Sequence, residues 1–174
     1  VAREWDRGTM EALFVTPLRS REFIVGKLIP YYFLGMASLL LNFVLAVWLF
    51  DMPFEGSFWL LILTGSLYML VSLAVGLLIS VVSKNQFVAG QMAIITGFLP
   101  AFILSGFIFD INSMPAAIQL ITHIVPARYY VAILQTLFLA GDVWPVILKN
   151  VFALLVMLMV FSWLVAKKTR KSLE

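Results

Sequence analysis

The chain contains no cysteine and few charged residues. Without cysteine, disulfide frameworks, thiolate metal sites and cysteine nucleophiles are all excluded. Charged residues make up only 12% of the 174 residues, which is about half the fraction in a typical soluble domain. Hydrophobic residues make up 63%. One small core cannot hide that much apolar surface, so much of the molecule must face lipid.

The usual catalytic residue patterns are also missing. His123 is the only histidine and has no metal-ligand spacing around it, so we interpret it as a structural or interfacial residue. There is no G-x-S-x-G elbow and no phosphate-binding glycine loop. We therefore assign no catalytic residue and expect no metal or cofactor to be bound by this chain. The net charge of +3 comes from basic clusters beside apolar runs, which does not indicate a nucleic-acid partner.

Long runs without charge are abundant. Since a transmembrane helix needs about 20 apolar residues, these runs predict spans at 24–50, 57–82, 87–109 and 144–166. The fourth apolar run is short, but Lys149 can extend to the headgroups and let the helix begin near Trp144. The sequence therefore predicts an all-α, polytopic membrane protein with four transmembrane helices.

Residues 112–140 are apolar enough to suggest a fifth span, but prolines interrupt them. Pro115 and Pro126 divide the segment into two short helices, each shorter than the hydrocarbon core is thick. We expect a re-entrant pair, or a pair lying flat, before the last span. A fifth span would also place the basic tail outside the cell, against the positive-inside rule.

Basic residues favour one end of the predicted four-span bundle. Cytoplasmic segments near span ends carry an excess of Lys and Arg. With four spans, ten of the twelve basic residues lie on one side: Arg3, Arg7, Arg19, Arg21, Lys27, Lys84, Lys167, Lys168, Arg170 and Lys171. This predicts that residues 1–21 and the tail 167–174 are both cytoplasmic.

The predicted spans carry no ionisable residue near their centres. Transporters driven by protons or sodium usually keep such residues at membrane depth, so ion coupling is disfavoured and energy must come from elsewhere. The third span has small residues at four-residue spacing, from Ala89 to Ser105, which suits close helix packing. Packing within the chain and packing between subunits both remain open. Pro100 predicts a kink in the same span.

The segment EWDRGTMEALFVTP, from Glu4 to Pro17, is too polar to be embedded in the membrane. Thr9 is a suitable N-cap, the apolar residues Leu13 and Phe14 follow Met10 at helical spacing, and Pro17 ends the helix. This predicts a short amphipathic helix. It is either an interfacial helix that orients the next span or a lever that docks on a cytoplasmic motor.

Two motifs resemble the permease subunits of the ABC type-2 exporter family. The family pattern E-x-E-x-G-T-x-E-x-L-x-x-T-P is matched at Glu4, Gly8, Thr9, Glu11, Leu13, Thr16 and Pro17. Asp6 stands where Glu is usual, which keeps the charge but shortens its reach. The second match reads LSGFIFDINSMP, from Leu104 to Pro115, followed by PARYYV, from Pro126 to Val131. The resemblance covers essentially the whole chain.

This resemblance implies roles for particular residues. The four spans would be the last four of six, with a span, an extracytoplasmic domain and a second span upstream, so we expect a longer parent chain. The implied ATPase-coupling residues are Glu4, Gly8, Thr9, Met10, Glu11, Leu13, Phe14, Thr16 and Pro17. The implied re-entrant or gate residues are Ser105, Gly106, Pro115, Pro126, Arg128 and Tyr129.

The resemblance further implies a permease subunit of an ATP-binding-cassette exporter in a bacterial inner membrane. Its partners would be a separate ATPase subunit carrying ATP and Mg, a second permease copy or a paralogue, and the lipid bilayer. A periplasmic adaptor is a further candidate partner. We expect a drug-like or amphipathic substrate. The alternatives are export of lipid or polysaccharide, or a non-transporting membrane anchor or assembly protein.

Overall fold

The chain is built from helices. The computed structural model describes residues 1–8, 20–83 and 85–171, and all regular elements within them are helical. The α-helices are α1 (Ala2–Asp6), α2 (Ser20–Val44), α3 (Phe58–Ser83), α4 (Gln86–Ala93), α5 (Leu99–Ile103), α6 (Ala116–Thr122), α7 (Pro126–Leu139) and α8 (Trp144–Lys171). A π-helical turn extends α2 through Leu45–Leu49, another joins α4 to α5 at Ile94–Phe98, and a 3-10 turn occupies Ile111–Ser113.

Four of the described helical stretches are long and apolar enough to cross a membrane. They are Ile24–Leu49, Phe58–Ser83, Gln86–Ile103 and Trp144–Thr169, called spans 1 to 4 below. The prediction of an all-α protein with four transmembrane helices is thereby confirmed. Helices α6 and α7 meet at 85° and together pass the same test of length and hydropathy. That this bent pair is re-entrant stays a prediction.

Span 3 ends earlier than the sequence predicted. It stops at Ile103, whereas the apolar run suggested helix as far as residue 109, and residues 104–109 form bends. Gly106 has a φ of +86°, which is a left-handed conformation that interrupts a helix and that glycine adopts without strain. The π-helical turn lies directly before Pro100, where the missing N–H already breaks the regular hydrogen-bond ladder.

Contacts between residues far apart in sequence define two ends of the bundle. At the α1 end, the backbone N–H of Ala2 donates to Ser80 Oγ at 2.9 Å. At the loop end, the backbone N–H of Ser57 donates to Asp142 Oδ1 at 2.7 Å, and Gly56 N donates to Leu137 O at 2.8 Å. Successive spans therefore run in opposite directions.

Span 2 is the centre of the packing. It contacts span 1, α7 and span 4. The buried cluster consists of Leu61, Val71, Ile133, Leu137, Ile147 and Leu154. Helix α7 contributes through Ala127, Tyr130, Ile133 and Leu137, whose spacing puts them on one helix face. Because lipid tails are as apolar as leucine, this cluster holds the spans together mainly through close van der Waals packing.

Span 3 contributes almost nothing to this core. None of its residues is buried in the described structure, and large side chains such as Phe87, Phe98 and Phe102 are more than half exposed. Its residues Gly90 and Gly97 have open space where a Cβ would point. In the small-residue row of span 3, Gly97 therefore packs against nothing in the described part of this chain, whereas Ser105 at the end of the row is buried.

Candidate functional site

Helix α1 is attached to three different spans. Ala2 hydrogen-bonds Ser80 of span 2, as described above. Glu4 forms an ion pair with Lys27 of span 1. Asn85 Nδ2, at the start of span 3, donates to Asp6 Oδ1 at 3.1 Å. Motion of this short helix would therefore be passed to the α1 ends of spans 1, 2 and 3 together.

Asn85 performs two tasks with one side chain. Its Oδ1 accepts hydrogen bonds from the backbone N–H groups of Phe87 and Val88, at 2.9 and 3.1 Å, which caps the N-terminus of span 3. Its Nδ2 binds Asp6, whose carboxylate then lies near the positive end of the helix dipole. The start of span 3 is thereby tied to α1.

The environment of Glu4 keeps its carboxyl group ionised. Burial raises the pKa of Glu4, but the hydrogen bond and the positive charge of Lys27 act in the opposite direction, and the pKa lies below its ordinary value of 4.5. Because the folded pKa lies below the ordinary value of 4.5, this carboxylate contributes stability above about pH 4.5. That contribution declines as the pH falls below 4.5.

Only part of the predicted coupling segment can be placed. Glu4 lies in α1, and Gly8, just after this helix, has a φ of +69°, which a residue with a Cβ rarely adopts. The sequence did not predict α1 itself. The other predicted coupling residues lie outside the described residues: Thr9, Met10, Glu11, Leu13, Phe14, Thr16 and Pro17. Their coupling role stays a prediction.

The bend between α6 and α7 at the loop end is built around Arg128. Its Nη1 donates to Thr122 Oγ1 and to Gln119 O at 3.4 Å, and it lies 3.1 Å from His123 Nδ1. Thr122 is fully buried, and its Oγ1 donates to Gln119 O at 2.7 Å. Arg128, in the first turn of α7, thus binds the last turn of α6, where carbonyl groups attract a cation.

The remaining predicted gate residues shape the backbone around this bend. Pro126 begins α7, and Tyr129 OH donates to His123 O at 3.0 Å. Pro115 caps the N-terminus of α6, where its carbonyl accepts from Ile118 N at 2.9 Å. The structure therefore brings three of the predicted residues, Pro126, Arg128 and Tyr129, to a single corner.

Ser105 and Gly106 lie elsewhere, just beyond the end of span 3. Ser105 is buried, and its Oγ accepts from Phe107 N at 3.4 Å. A Cβ on Gly106 would lie 3.0 Å from Ile111 Cδ1, so this turn is tightly packed as well as left-handed. The last turns of span 3 contact α7. These two residues thus shape the connection between span 3 and the bent pair.

Two cavities lie between the spans. The first, of about 470 Å³, lies towards the α1 end between spans 1, 2 and 4 and is almost wholly aliphatic, with Tyr32 and Phe33 on its wall. The second, of about 440 Å³, lies towards the loop end between span 1, span 2 and α7. We call the second the tyrosine cavity, because Tyr68 and Tyr130 line it.

Several of these residues escaped the sequence-based prediction. Thr122 and Gln119 form the socket for Arg128, and the only available signal was their position in the last turn before a helix break. Asn85 had a readable signal, because an Asn before an apolar run is a common N-cap. The pairing of Tyr68 with Tyr130 had no signal, since the two residues lie on separate helices far apart in sequence.

The chain matches the family model described as "ABC-2 family transporter protein" over residues 1–167. It is 48% identical over all 174 residues to the "Probable multidrug ABC transporter permease YbhS" of Escherichia coli (strain K12), and covers 46% of that protein. It is 31% identical to "Probable multidrug ABC transporter permease YbhR" of the same strain, covering 90% of this chain and 42% of that protein. The chain thus spans about half the length of these curated relatives. No solved structure matches the chain.

Proposed function

The chain belongs to the ABC-2 family of transporter proteins, and from this membership we propose that it is the C-terminal membrane part of the permease subunit of an ATP-driven exporter. In this proposal the subunit lies in a bacterial inner membrane and forms part of the translocation path. It binds no ATP itself. A separate ATPase subunit binds ATP and Mg and supplies the energy.

The attachment of α1 to spans 1, 2 and 3 is the observation that carries the proposal. Force applied by an ATPase to the segment after Gly8 would reach these spans through Glu4 and Asp6, which contact Lys27 and Asn85. Rigid helices joined in this way can switch together between two packed arrangements, which is how alternating access operates in many transporters. We propose that residues 9–17 form the coupling helix, anchored on the ATPase by Leu13 and Phe14.

Further parts of the proposal follow from charge and exposure. The distribution of Lys and Arg supports a cytoplasmic α1 end and a periplasmic loop end, where the bent pair α6–α7 would re-enter and cap the path. The exposed apolar surface of span 3 supports a second permease copy or a paralogue as partner. A periplasmic adaptor is a further partner in this proposal.

The substrate class is proposed from the relatives and from the cavity walls. Two relatives carry the words "multidrug ABC transporter permease" in their names. The tyrosine cavity is lined by aromatic and aliphatic side chains with a few neutral polar groups, which suits drug-like or amphipathic compounds. Lipid or polysaccharide export and a non-transporting anchor are the alternatives.

Replacement of both Leu13 and Phe14 by Asp tests the coupling role. We expect the doubly substituted permease to insert into the membrane normally but to lose co-purification with its ATPase, because a charged face cannot bind an apolar groove. Val15→Asp is the matched control, since residue 15 falls on the opposite side of a helix containing residues 10, 13 and 14. Unchanged co-purification of the doubly substituted permease would argue against the lever.

Transport itself needs a second measurement. Inside-out vesicles containing the permease and its ATPase should accumulate a fluorescent drug only when ATP and Mg are both present. A membrane anchor would accumulate none, and an ion-coupled transporter would respond to an imposed ion gradient without ATP. An ATPase gene next to the permease gene, encoding G-x-x-x-x-G-K-[ST], would further favour the exporter.

A further inference from the structure

The tyrosine cavity contains a tyrosine hydroxyl group with no hydrogen-bond partner among the described residues. Tyr130 is only 9% exposed, and its phenolic oxygen forms no hydrogen bond with any described residue. The oxygen lies 3.2 Å from the position that a Cβ would occupy at Gly65, so the ring reaches the backbone of span 2. Buried tyrosine hydroxyl groups usually have a partner. This one is available to a molecule that enters the cavity.

A second tyrosine gives the cavity a flat aromatic wall. The rings of Tyr68 and Tyr130 stack in parallel, with centroids 4.4 Å apart and an angle of 5° between their planes. Phe43 and Phe138 also line the cavity, and they pack against each other edge to face at 6.3 Å. Aromatic side chains in such arrangements are rigid and favour planar apolar ligands.

The polar groups of the cavity are few and all neutral. Asn42 Nδ2 donates to Ser38 O at 2.8 Å, while the Asn42 side-chain oxygen accepts no hydrogen bond from the described residues. No Asp, Glu, Lys, Arg or His stands among the residues that line the cavity. A charged ligand group would find no counter-ion there and would be costly to desolvate. An uncharged ligand therefore fits best.

The aliphatic cavity near the α1 end differs in this respect. Its tyrosine, Tyr32, is already paired, because its hydroxyl group lies 2.6 Å from Ser66 Oγ in a hydrogen bond. The remaining wall is aliphatic apart from Phe33 and Ser162, so it offers fewer aromatic and polar groups to orient a ligand. The two cavities have nearly the same volume, and the chemistry of their walls distinguishes them.

We propose that the tyrosine cavity is a binding site for uncharged, planar aromatic compounds that carry a hydrogen-bond acceptor. The acceptor receives a hydrogen bond from Tyr130 OH, and the aromatic body lies among Tyr68, Phe43 and Leu134. The volume of about 440 Å³ falls within the range of sites for drug-sized ligands. A role of this site in export rests on the proposed function. Binding of a ligand to the site does not.

Binding of Nile red to the permease tests the site, with no ATPase or ATP present. Nile red is an uncharged planar aromatic dye with a carbonyl acceptor, and its fluorescence reports a change of environment. The permease encoded by the whole gene is reconstituted in nanodiscs and titrated with the dye. The fluorescence of empty nanodiscs with the dye is subtracted. We expect saturable binding, which Tyr130→Phe weakens by about three- to tenfold because one hydrogen bond is lost.

A second substitution tests where the dye binds by filling part of the cavity instead of removing a hydrogen bond. Ala46 lines the cavity, so Ala46→Phe should fill part of it and remove saturable binding. The matched controls are Tyr31→Phe and Ala37→Phe, which alter exposed positions on the same helix and should leave the affinity within twofold.

Two results would overturn the site: no saturable binding to the unaltered permease, or the same affinity in Tyr130→Phe and Tyr31→Phe. Equal affinities of the two variants would also be found if a segment of the parent chain fills the cavity. ATP-dependent transport in vesicles is measured separately. If transport depends on ATP but the dye does not bind in the cavity, only this inference is contradicted. If the dye binds as expected but no ATP-dependent transport is found, only the proposed function is contradicted.

Discussion

Arg128 Nη1 lies 3.1 Å from His123 Nδ1, across the 85° bend between α6 and α7. This contact requires His123 Nδ1 to accept a hydrogen bond, yet the same nitrogen lies 2.9 Å from Gln119 O, to which it could only donate. The two contacts cannot form together. Arg128 can bind Thr122 Oγ1 and the carbonyl of Gln119 whichever of these two contacts His123 forms.

Thr122→Val should loosen this bend. The valine side chain has nearly the same shape but neither accepts from Arg128 nor donates to Gln119 O. We expect a loss of about 1–3 kcal/mol in local stability, because the half-buried guanidinium loses a charge-assisted hydrogen bond. Faster hydrogen exchange in residues 116–130 measures this loss. His123→Leu is the control and should change exchange little; equal effects of both substitutions would contradict the assignment.

Gly65→Ala should destabilise the contact between spans 1 and 2. A Cβ at this position would collide with Leu39 and come within 3.2 Å of Tyr130 OH. We expect a cost of about 1–3 kcal/mol from overpacking. Gly76→Ala in the same helix meets nothing within 4 Å and should be neutral or stabilising by up to about 1 kcal/mol, since alanine favours helix more than glycine does. Thermal unfolding in detergent compares the two, and equal midpoints would rule out the close approach at Gly65.

Glu4→Gln should loosen the attachment of α1 to span 1. The substitution removes the charge that pairs with Lys27, so residues 2–6 should exchange amide hydrogens faster at pH 7. In the unaltered chain, protection should persist above about pH 4.5 and decline as the pH falls below that value, because protonation of Glu4 breaks the pair. The Glu4→Gln chain should lack this dependence. Lys27→Gln should produce the same loss, and combining both substitutions should add little more; full additivity would show that the pair does not couple.

Asn85→Ala should weaken the start of span 3. Loss of an Asn cap costs about 0.5–2 kcal/mol, and the link to Asp6 is lost as well. Asn85→Asp keeps an N-cap acceptor but places a carboxylate beside Asp6, so it separates the two tasks of Asn85. We expect Asn85→Asp to retain protection of residues 86–90 while α1 loses it. Retention of α1 protection in both variants would show that the Asp6 contact is dispensable.

Much of the fold could be predicted, because a bilayer imposes simple requirements on sequence. Uninterrupted apolar runs must form helices, since backbone groups in lipid need partners within the same segment. The four spans and the proline break near residue 126 follow from this rule. The early end of span 3 at Ile103 could not be predicted, because most residues beyond it are also apolar, and the bends that follow, with the left-handed Gly106 among them, appear only in the structure.

The site was only partly predictable. The roles suggested for Arg128 and Tyr129 came from a motif, and the motif names neither Thr122 nor Gln119 as their partners. Likewise, the motif that suggested a coupling role for Glu4 did not indicate its ion pair with Lys27 on span 1, and the coupling role itself stays a prediction.

The sequence alone determined the membrane environment, the number of spans and the predicted side of the basic residues, because hydropathy and charge are properties of each segment by itself. Only the tertiary structure decided which residues meet: α1 on three spans, Arg128 in its socket, and Tyr130 stacked on Tyr68. These contacts join helices far apart in the chain, and lipid-exposed and packed faces are equally apolar. Their pairing depends on shape and hydrogen bonding between surfaces that no single segment encodes.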